Sequence, residues 1–422
     1  MSADTRDDWK TWLRIGLLSF GGPAGQIALM HRELVEQRRW IDERGFAAGL
    51  SFCMLLPGPE AQQLATYIGW RRGGWWQGVI AGSLFFLPGA LLIWLLCLLY
   101  VATQGIGPVE TAFLGIQCAV VSVVIEALFR VGRRALKTPI SALIALLAFL
   151  LITTRALPFP AVLLLAALAG LLLRGAADAR APLPAARAHA SRKPALVALL
   201  AWLLPVGALW LWLGPEHLLT RVALLFSELA VVTFGGAYAV LAYVTEQAVQ
   251  VNGWLSTAQM MDGLGLAETT PGPLILVLQF VAFLAGWQDA GATSLGLASA
   301  ASLVALWVLF MPSFVWIFAG AAQVERLSAN PRARAALDGI TAAVLGVIAH
   351  VALWFVLNLA FGSTETRTWG PLQLLAPVWP SLRPEVLLPG LAGAVVLFVL
   401  HRGVVVCLAA AAAIALIQSW LT

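Results

Sequence analysis

The sequence predicts an all-α polytopic membrane protein made of two inverted-topology repeats, and three observations predict it. Of 422 residues, 60% are hydrophobic and 11% charged, whereas soluble globular chains carry about 25% charged residues. So few charges cannot cover a soluble surface of this size. Apolar runs such as 79–101, whose hydroxyls are Ser83 and Tyr100, are long enough to cross hydrocarbon at ~1.5 Å per residue. Finally, the two halves of the chain repeat each other.

The apolar segments fall at 11–30, 46–70, 74–101, 109–130, 138–153 and 158–174. A Pro/Ala/Arg-rich stretch at 175–194 reads as an exposed cytoplasmic linker. A connecting transmembrane segment follows at 195–213, then 216–245, 259–286, 290–320, 335–360, 386–400 and 403–421. The expected organisation is a first membrane repeat at 1–174, the linker, the connecting segment, and a second membrane repeat at 214–422. Segments near sixteen residues are short for a full span and are expected to be tilted or half-buried.

A shift of 214 aligns Phe20-Gly21-Gly22 with Phe234-Gly235-Gly236, Trp40 with Trp254, and Gly49-Leu50 with Gly263-Leu264. The same shift aligns Pro57-Gly58-Pro59 with Pro271-Gly272-Pro273. After a ten-residue insertion, a shift of 224 pairs Pro88 with Pro312, Gly115-Ile116 with Gly339-Ile340, and Glu126 with His350. Shared apolar composition does not align three turn motifs at one offset. Six segments return the chain to its starting face, so the extra segment at 195–213 makes the second copy start from the opposite one. That is an inverted repeat, an architecture of many secondary transporters, in which one repeat rocks against the other. With the N-terminus inside, 18 of the 26 Lys and Arg are cytoplasmic and 8 are not, as the positive-inside rule requires. If 11–30 and 46–70 are re-entrant hairpins, Arg32, Arg38, Arg39 and Arg44 move inside and the split becomes 22 to 4.

Several functions are excluded early. The net charge of +5 reports cytoplasmic loops rather than nucleic-acid binding. Cys53, Cys97, Cys118 and Cys407 stand singly in apolar stretches and read as small buried hydrophobes. None of Lys10, Lys137 and Lys193 follows a glycine, so there is no Walker A loop. The five histidines form no HExxH and no GxSxG elbow occurs, which leaves an intramembrane enzyme a remote alternative. The polar first fifteen residues argue against a cleavable signal peptide. No cofactor or metal is expected.

Each copy interrupts apolar segments twice, at Gly21-Gly22-Pro23 and Pro57-Gly58-Pro59, then at Gly235-Gly236 and Pro271-Gly272-Pro273. Proline removes a backbone donor and glycine opens the chain. In hydrocarbon, such breaks survive only where protein or a wet cavity satisfies them. A half-helix restarted after proline presents free N–H groups and a positive dipole end, a ready anion site. Gln26, Gln62, Gln63, Tyr238, Gln279, Thr269 and Thr270 could add uncharged hydrogen bonds or serve helix packing. Ionisable residues within apolar segments are functional candidates by default: Arg14, Glu60, Glu126, Arg221, Glu228, Glu268 and His350. Arg14 and Glu228 are equivalent under the 214 shift and are expected as a structural ion pair, with Arg14 also adding positive charge near the anion. Glu60, Glu268, Glu126 and His350 are the proton-coupling candidates. The stretch from His31 to Arg44 reads as an interfacial amphipathic segment or an electropositive vestibule.

At these residues the sequence resembles the chromate ion transporter family, in its long two-repeat form. The resemblance rests on LSFGGPAGQI (ending at Ile27), RELVEQRRW (32–40), LLPGPEAQQ (55–63), TFGGAY (233–238) and AETTPGPL (267–274). It implies transport of chromate, with sulfate as the isosteric dianion, by a multi-pass protein of the cell inner membrane that could form homo-oligomers. The EAQQ at Glu60–Gln63 departs from the small and hydroxyl residues the resemblance implies there. A dianion leaving a cell with a negative interior gains ~4.6 kcal/mol at roughly 100 mV, so efflux is the expected direction.

Overall fold

Helix boundaries follow local backbone chemistry. The computed structural model describes residues 8–173, 193–232, 234, 237–321, 331–370 and 372–421. Helix α1 (Asp8–Leu18) ends before Gly21 and Gly22, whose φ values are 85° and 68°, and α2 (Gly22–His31) restarts with Pro23 in its first turn. A π-turn at Arg32–Gln37 leads to Asp42, whose carboxylate accepts from the Gly45 amide at 3.1 Å and caps α3 (Glu43–Cys53). Pro57 and Pro59 flank Gly58, at φ 109°, and α4 (Glu60–Ala102) starts at the next residue and kinks at Gly73–Gly74. The first copy ends with α5 (Gly107–Ala135), α6 (Pro139–Thr153), capped reciprocally by Thr138 and Ser141, and α7 (Phe159–Leu173).

Helix α8 (Lys193–Leu213) leads into the second copy: α9 (Leu218–Val232), α10 (Ala237–Thr245), α11 (Thr257–Thr269), α12 (Val277–Asp289), α13 (Leu295–Gly320), α14 (Pro331–Ala360), α15 (Leu387–Ala394) and α16 (Val404–Leu421). Local geometry repeats at the offset the sequence predicts. A second π-turn occupies Glu246–Val251, 214 residues after the first. Arg38 N donates to Glu33 O and Asn252 N to Gln247 O, at 3.2 and 2.9 Å. Trp40 N donates to Leu34 O and Trp254 N to Ala248 O, both at 2.7 Å. Gly272 has φ 99°, close to its counterpart Gly58. Pro88 and Pro312 both lie inside long helices, α4 and α13.

Among the described residues, six helices are long and apolar enough to cross a membrane: α4, α5, α8, α13, α14 and α16. The chain is therefore an all-α polytopic membrane protein, and the four apolar segments that carry the FGG and PGP motifs are broken in two, as those motifs predict. Segment 11–30 splits into α1 and α2, 46–70 into α3 and the start of α4, 216–245 into α9 and α10, and 259–286 into α11 and the helix from Leu274. An 11-residue helix such as α1 rises only ~16 Å, about half the hydrocarbon thickness. The small exception to the helical fold is an antiparallel hairpin, β1 (Thr364–Trp369) with β2 (Leu372–Pro377), in register from Thr364↔Pro377 to Trp369↔Leu372. No sequence pattern flagged it.

Two compact units exist, and each takes segments from both copies. The first comprises Met1–Leu98, Ala176–Ala237 and Thr270–Arg334, the second Leu99–Gly175, Tyr238–Thr269 and Ala335–Thr422. Within the first unit, Arg72 Nε lies 2.5 Å from Asp8 Oδ2, Arg38 Nε donates to Thr11 Oγ1 at 3.1 Å, and Trp12 meets Trp40 at 5.8 Å. The start of α1, the turn after α2 and the kink in α4 therefore share one end of this unit. Helices α1 and α2 form one hairpin, and α3 with the start of α4 forms another. Each goes in and comes back: this is re-entrant geometry.

Close approach makes one glycine indispensable. A Cβ at Gly89 would collide with the Pro271 backbone oxygen, while nothing lies within 4 Å of one built at Gly207. We expect Gly89→Ala to lower stability by about 1–3 kcal/mol and Gly207→Ala to leave it unchanged or slightly raised, read by thermal unfolding in detergent. At the mouth of the α2–α3 turn, His31 contacts Glu43 at 2.8 Å and Glu36 at 3.1 Å. The Glu43 hydrogen bond, outweighing desolvation, raises its pKa above 6.5. Its stabilisation is therefore full below pH 6.5 and is lost as pH rises through the folded-state value. The melting temperature of His31→Gln should match the parent at high pH and fall below it at low pH.

Candidate functional site

Three helix starts meet inside the first unit. A cavity of about 20 Å³, space for roughly one water, is lined by Pro23 and Gln26 of α2, Gly58 to Ala61 at the start of α4, and Pro273 to Ile275 before α12. Helix α2 has no side-chain cap, and neither does the turn that begins at Leu274. The first amides of a helix have no intrahelical partner, and the first residues of these two starts line the cavity. Each helix start carries about half a positive charge. The motif spacing placed these starts correctly: Gly21, Gly22 and Pro23, then Pro57, Gly58 and Pro59, then Pro271, Gly272 and Pro273. Gly235 and Gly236 lie outside the described residues.

Buried amides tie the breaks together. Gln26, fully buried, donates through Nε2 to Gly272 O at 2.6 Å and to Ser19 O at 3.4 Å, and Gly272 N donates to Ser19 O at 2.8 Å. Gln63 Nε2 donates to Pro57 O at 2.6 Å and reaches Ser313 Oγ at 3.4 Å. Gln279 Nε2 donates to Ala90 O at 3.0 Å. Gln62 is fully buried, and neither of its amide atoms has a hydrogen-bond partner among the described residues. Glu60 is half-buried on the cavity wall, and among the described residues no Lys or Arg lines that cavity.

The remaining candidates sit elsewhere. Arg14 is exposed and lies 3.8 Å from Glu33. Glu33, 1% exposed, is also held by Arg38, so part of the mixed-charge stretch is a structural ion pair rather than a vestibule. Glu228 is exposed, and the ion pair described for Arg14 is with Glu33. In the second unit, Tyr238 donates to Glu268 in a short hydrogen bond, and Glu126, bound by Arg130, lies within electrostatic reach of that pair. His350 bonds Thr153 Oγ1 at 3.1 Å. It lines a cavity of about 290 Å³ with Arg155 and Glu246, so Glu126 and His350 are engaged with different partners. Thr269 Oγ1 bonds Leu266 O at 2.8 Å, as a helix end does, and Thr270 is buried.

Sequence reasoning missed three buried carboxylates among the described residues, Asp8, Glu33 and Asp262, which are 3%, 1% and 4% exposed. Asp262 lies near the start of an apolar segment, where a charge reads as interfacial. Its register, five residues after Thr257 on the inward face of α11, was the available signal.

Membrane-crossing helices interrupted by re-entrant hairpins whose broken ends converge on buried amides define a membrane transporter. Comparison with known proteins supplies the family: the chain belongs to the chromate transporters, whose family description matches residues 8–171 and 220–416, one region in each copy. It is 33% identical over 349 residues to a chromate transport protein of Pseudomonas aeruginosa, covering 80% of this chain and 77% of that one. A chromate transport protein of Cupriavidus metallidurans is 26% identical over 350 residues, covering 80% and 79%. An uncharacterised transporter of Bacillus subtilis, YwrB, aligns over 134 residues at 29% identity, 31% of this chain and 67% of its own. No solved structure matches.

Replacing Gln26 by Leu removes the donor shared by two buried carbonyls. It should cost about 1–3 kcal/mol, read as a lower melting temperature, and a melting curve like the parent's would show that the breaks are held by packing alone.

Proposed function

We propose that this chain is a secondary transporter that carries chromate, or another tetrahedral oxyanion, out of the cell across the inner membrane. The observation that carries the reading is the convergence of three helix starts, two of them without a side-chain cap, on the cavity beside Gln26. Amides and dipole ends recognise a compact oxyanion without a fixed cation. The relatives named chromate transport protein support chromate over sulfate.

The cavity of about 20 Å³ is too small for a tetrahedral oxyanion. Binding therefore parts the three breaks, and Gly22, Gly58 and Gly272, at positive φ, are the joints on which they turn. Because each compact unit draws on both copies, the moving body is a hairpin rather than a whole repeat. The re-entrant hairpins favour the 22 to 4 distribution of Lys and Arg, with a cytoplasmic N-terminus and copies of opposite orientation. Glu60 takes up a proton as the anion binds, because an ionised carboxylate would compete for the same amides. Glu268, held by Tyr238, is a second titratable group. Efflux runs down the membrane potential and needs no ATP.

Purified protein in liposomes, with pH and voltage set independently, tests this reading. Chromate flux should saturate, follow an inside-negative potential outward and be inhibited by sulfate only at higher concentration. Gly58→Val should reduce flux at least tenfold with membrane insertion intact, and normal flux in that variant would refute the half-helix site. Glu60→Gln should bind chromate with an affinity independent of pH. Retention of the parental pH dependence would remove Glu60 from the scheme.

A further inference from the structure

A second buried carboxylate has a solvent route of its own. Asp262, 4% exposed, accepts hydrogen bonds from Tyr100 Oη and from Gln117 Nε2, both at 2.8 Å. Both donors are neutral. It lines a cavity of about 330 Å³ that also includes Thr103, Gln104, Glu110 and Gln259. Gln104 and Glu110 are exposed, so the cavity runs from the turn between α4 and α5 to a carboxylate inside the unit. Glu110 Oε1 accepts from Gly105 N at 3.2 Å and fixes that turn.

The charges around Asp262 are few. Helices α5 and α16 pack against α11. α5 presents Glu110 and Gln117 to the cavity, the end of α4 presents Tyr100, and α16 contains no Asp, Glu, Lys, Arg or His. Among the described residues, the titratable groups facing Asp262 are thus a phenol and one further carboxylate, with no cation. A buried carboxylate in that setting costs several kcal/mol while charged, a cost relieved by a proton. Two hydrogen bonds to neutral donors hold its oxygens in place without fixing the charge. A carboxylate kept only for packing needs no polar channel to solvent.

We propose that Asp262 is a proton-binding site loaded from the solvent side reached through this cavity, and that its occupancy sets the dependence of transport on the pH of that side. The inference rests on the transporter reading above. With a cytoplasmic N-terminus and re-entrant hairpins, α4 ends at the external face, so the relevant pH is external. The proton passes from cavity water to a carboxylate oxygen, and no other bond changes.

The test uses right-side-out membrane vesicles bearing the full-length protein, with internal pH and voltage clamped and external pH varied. Asp262→Asn should flatten the external-pH dependence of chromate flux. Tyr100→Phe keeps the carboxyl but removes one donor to its charged form, and should move the external-pH midpoint up by roughly one unit. It also serves if the Asn variant fails to fold. Independently of transport, infrared difference spectra of purified protein on titration should contain a protonated-carboxyl band that disappears in Asp262→Asn. Parental external-pH profiles in both variants, absence of that band, or a requirement for sodium in place of protons would overturn the proposal. If the parent moves no chromate, the transporter reading fails, while the infrared titration still decides whether Asp262 binds a proton.

Discussion

Everything in this structure depends on meeting, inside the protein, the backbone groups that its broken helices release. Each break strands carbonyls and amides in surroundings with little water, where an unmet group costs several kcal/mol. The first unit meets them with glutamines. Gln26 serves Gly272 and Ser19, Gln63 serves Pro57, and Gln279 serves Ala90. Glutamine suits the task because its amide donates without bringing a charge into an apolar layer. Its reach also joins positions remote in sequence: Gln26 and Gly272 lie 246 residues apart.

Duplication supplied matching backbones, and divergence of side chains assigned them different work. The two π-turns and the glycines at 58 and 272 keep their geometry across the 214 offset. The side chains do not. The counterparts of Gln26, Glu60, Gln62 and Gln63 are Val240, Leu274, Leu276 and Val277, all buried and apolar. The first copy thus brings the polar groups, and the second offers backbone, as at Gly272. One composite site results where exact symmetry would give two.

Composition and the repeat offset made the fold class legible, because hydrophobicity and turn-forming residues act locally. The breaks were legible for the same reason: no ordinary apolar helix runs through Pro57-Gly58-Pro59. The path after a break was not. A helix that crosses and a hairpin that returns have the same hydropathy, so the sequence leaves both open for 11–30 and 46–70, and the pairing of Asp8 with Arg72 favours the hairpin. Tertiary pairing also decided the charges. Glu33 looked interfacial from its neighbours, yet Arg38 and Arg14 draw it into a buried pair. The burial of Asp262 depends on partners the sequence does not pair with it, since Tyr100 and Gln117 are 162 and 145 residues away. The hairpin at Thr364–Pro377 has no alternation of burial to announce it.

The charge balance at the meeting of the breaks explains why a carboxylate belongs there. Three helix starts at about half a charge each supply roughly +1.5, and among the described residues no Lys or Arg lines the cavity. A dianion beside an ionised Glu60 would place about three negative charges against that field, and the carboxylate would repel the substrate. With Glu60 protonated, the dianion alone faces roughly +1.5, near balance, and the carboxyl becomes one more donor. Binding is then favourable enough to select an anion and weak enough to release it. A buried arginine in the same place would hold the anion more tightly and slow its departure. A site of dipoles with one titratable carboxyl would therefore suit transport better than storage, and under the proposed scheme electrostatics alone would tie proton uptake to occupancy.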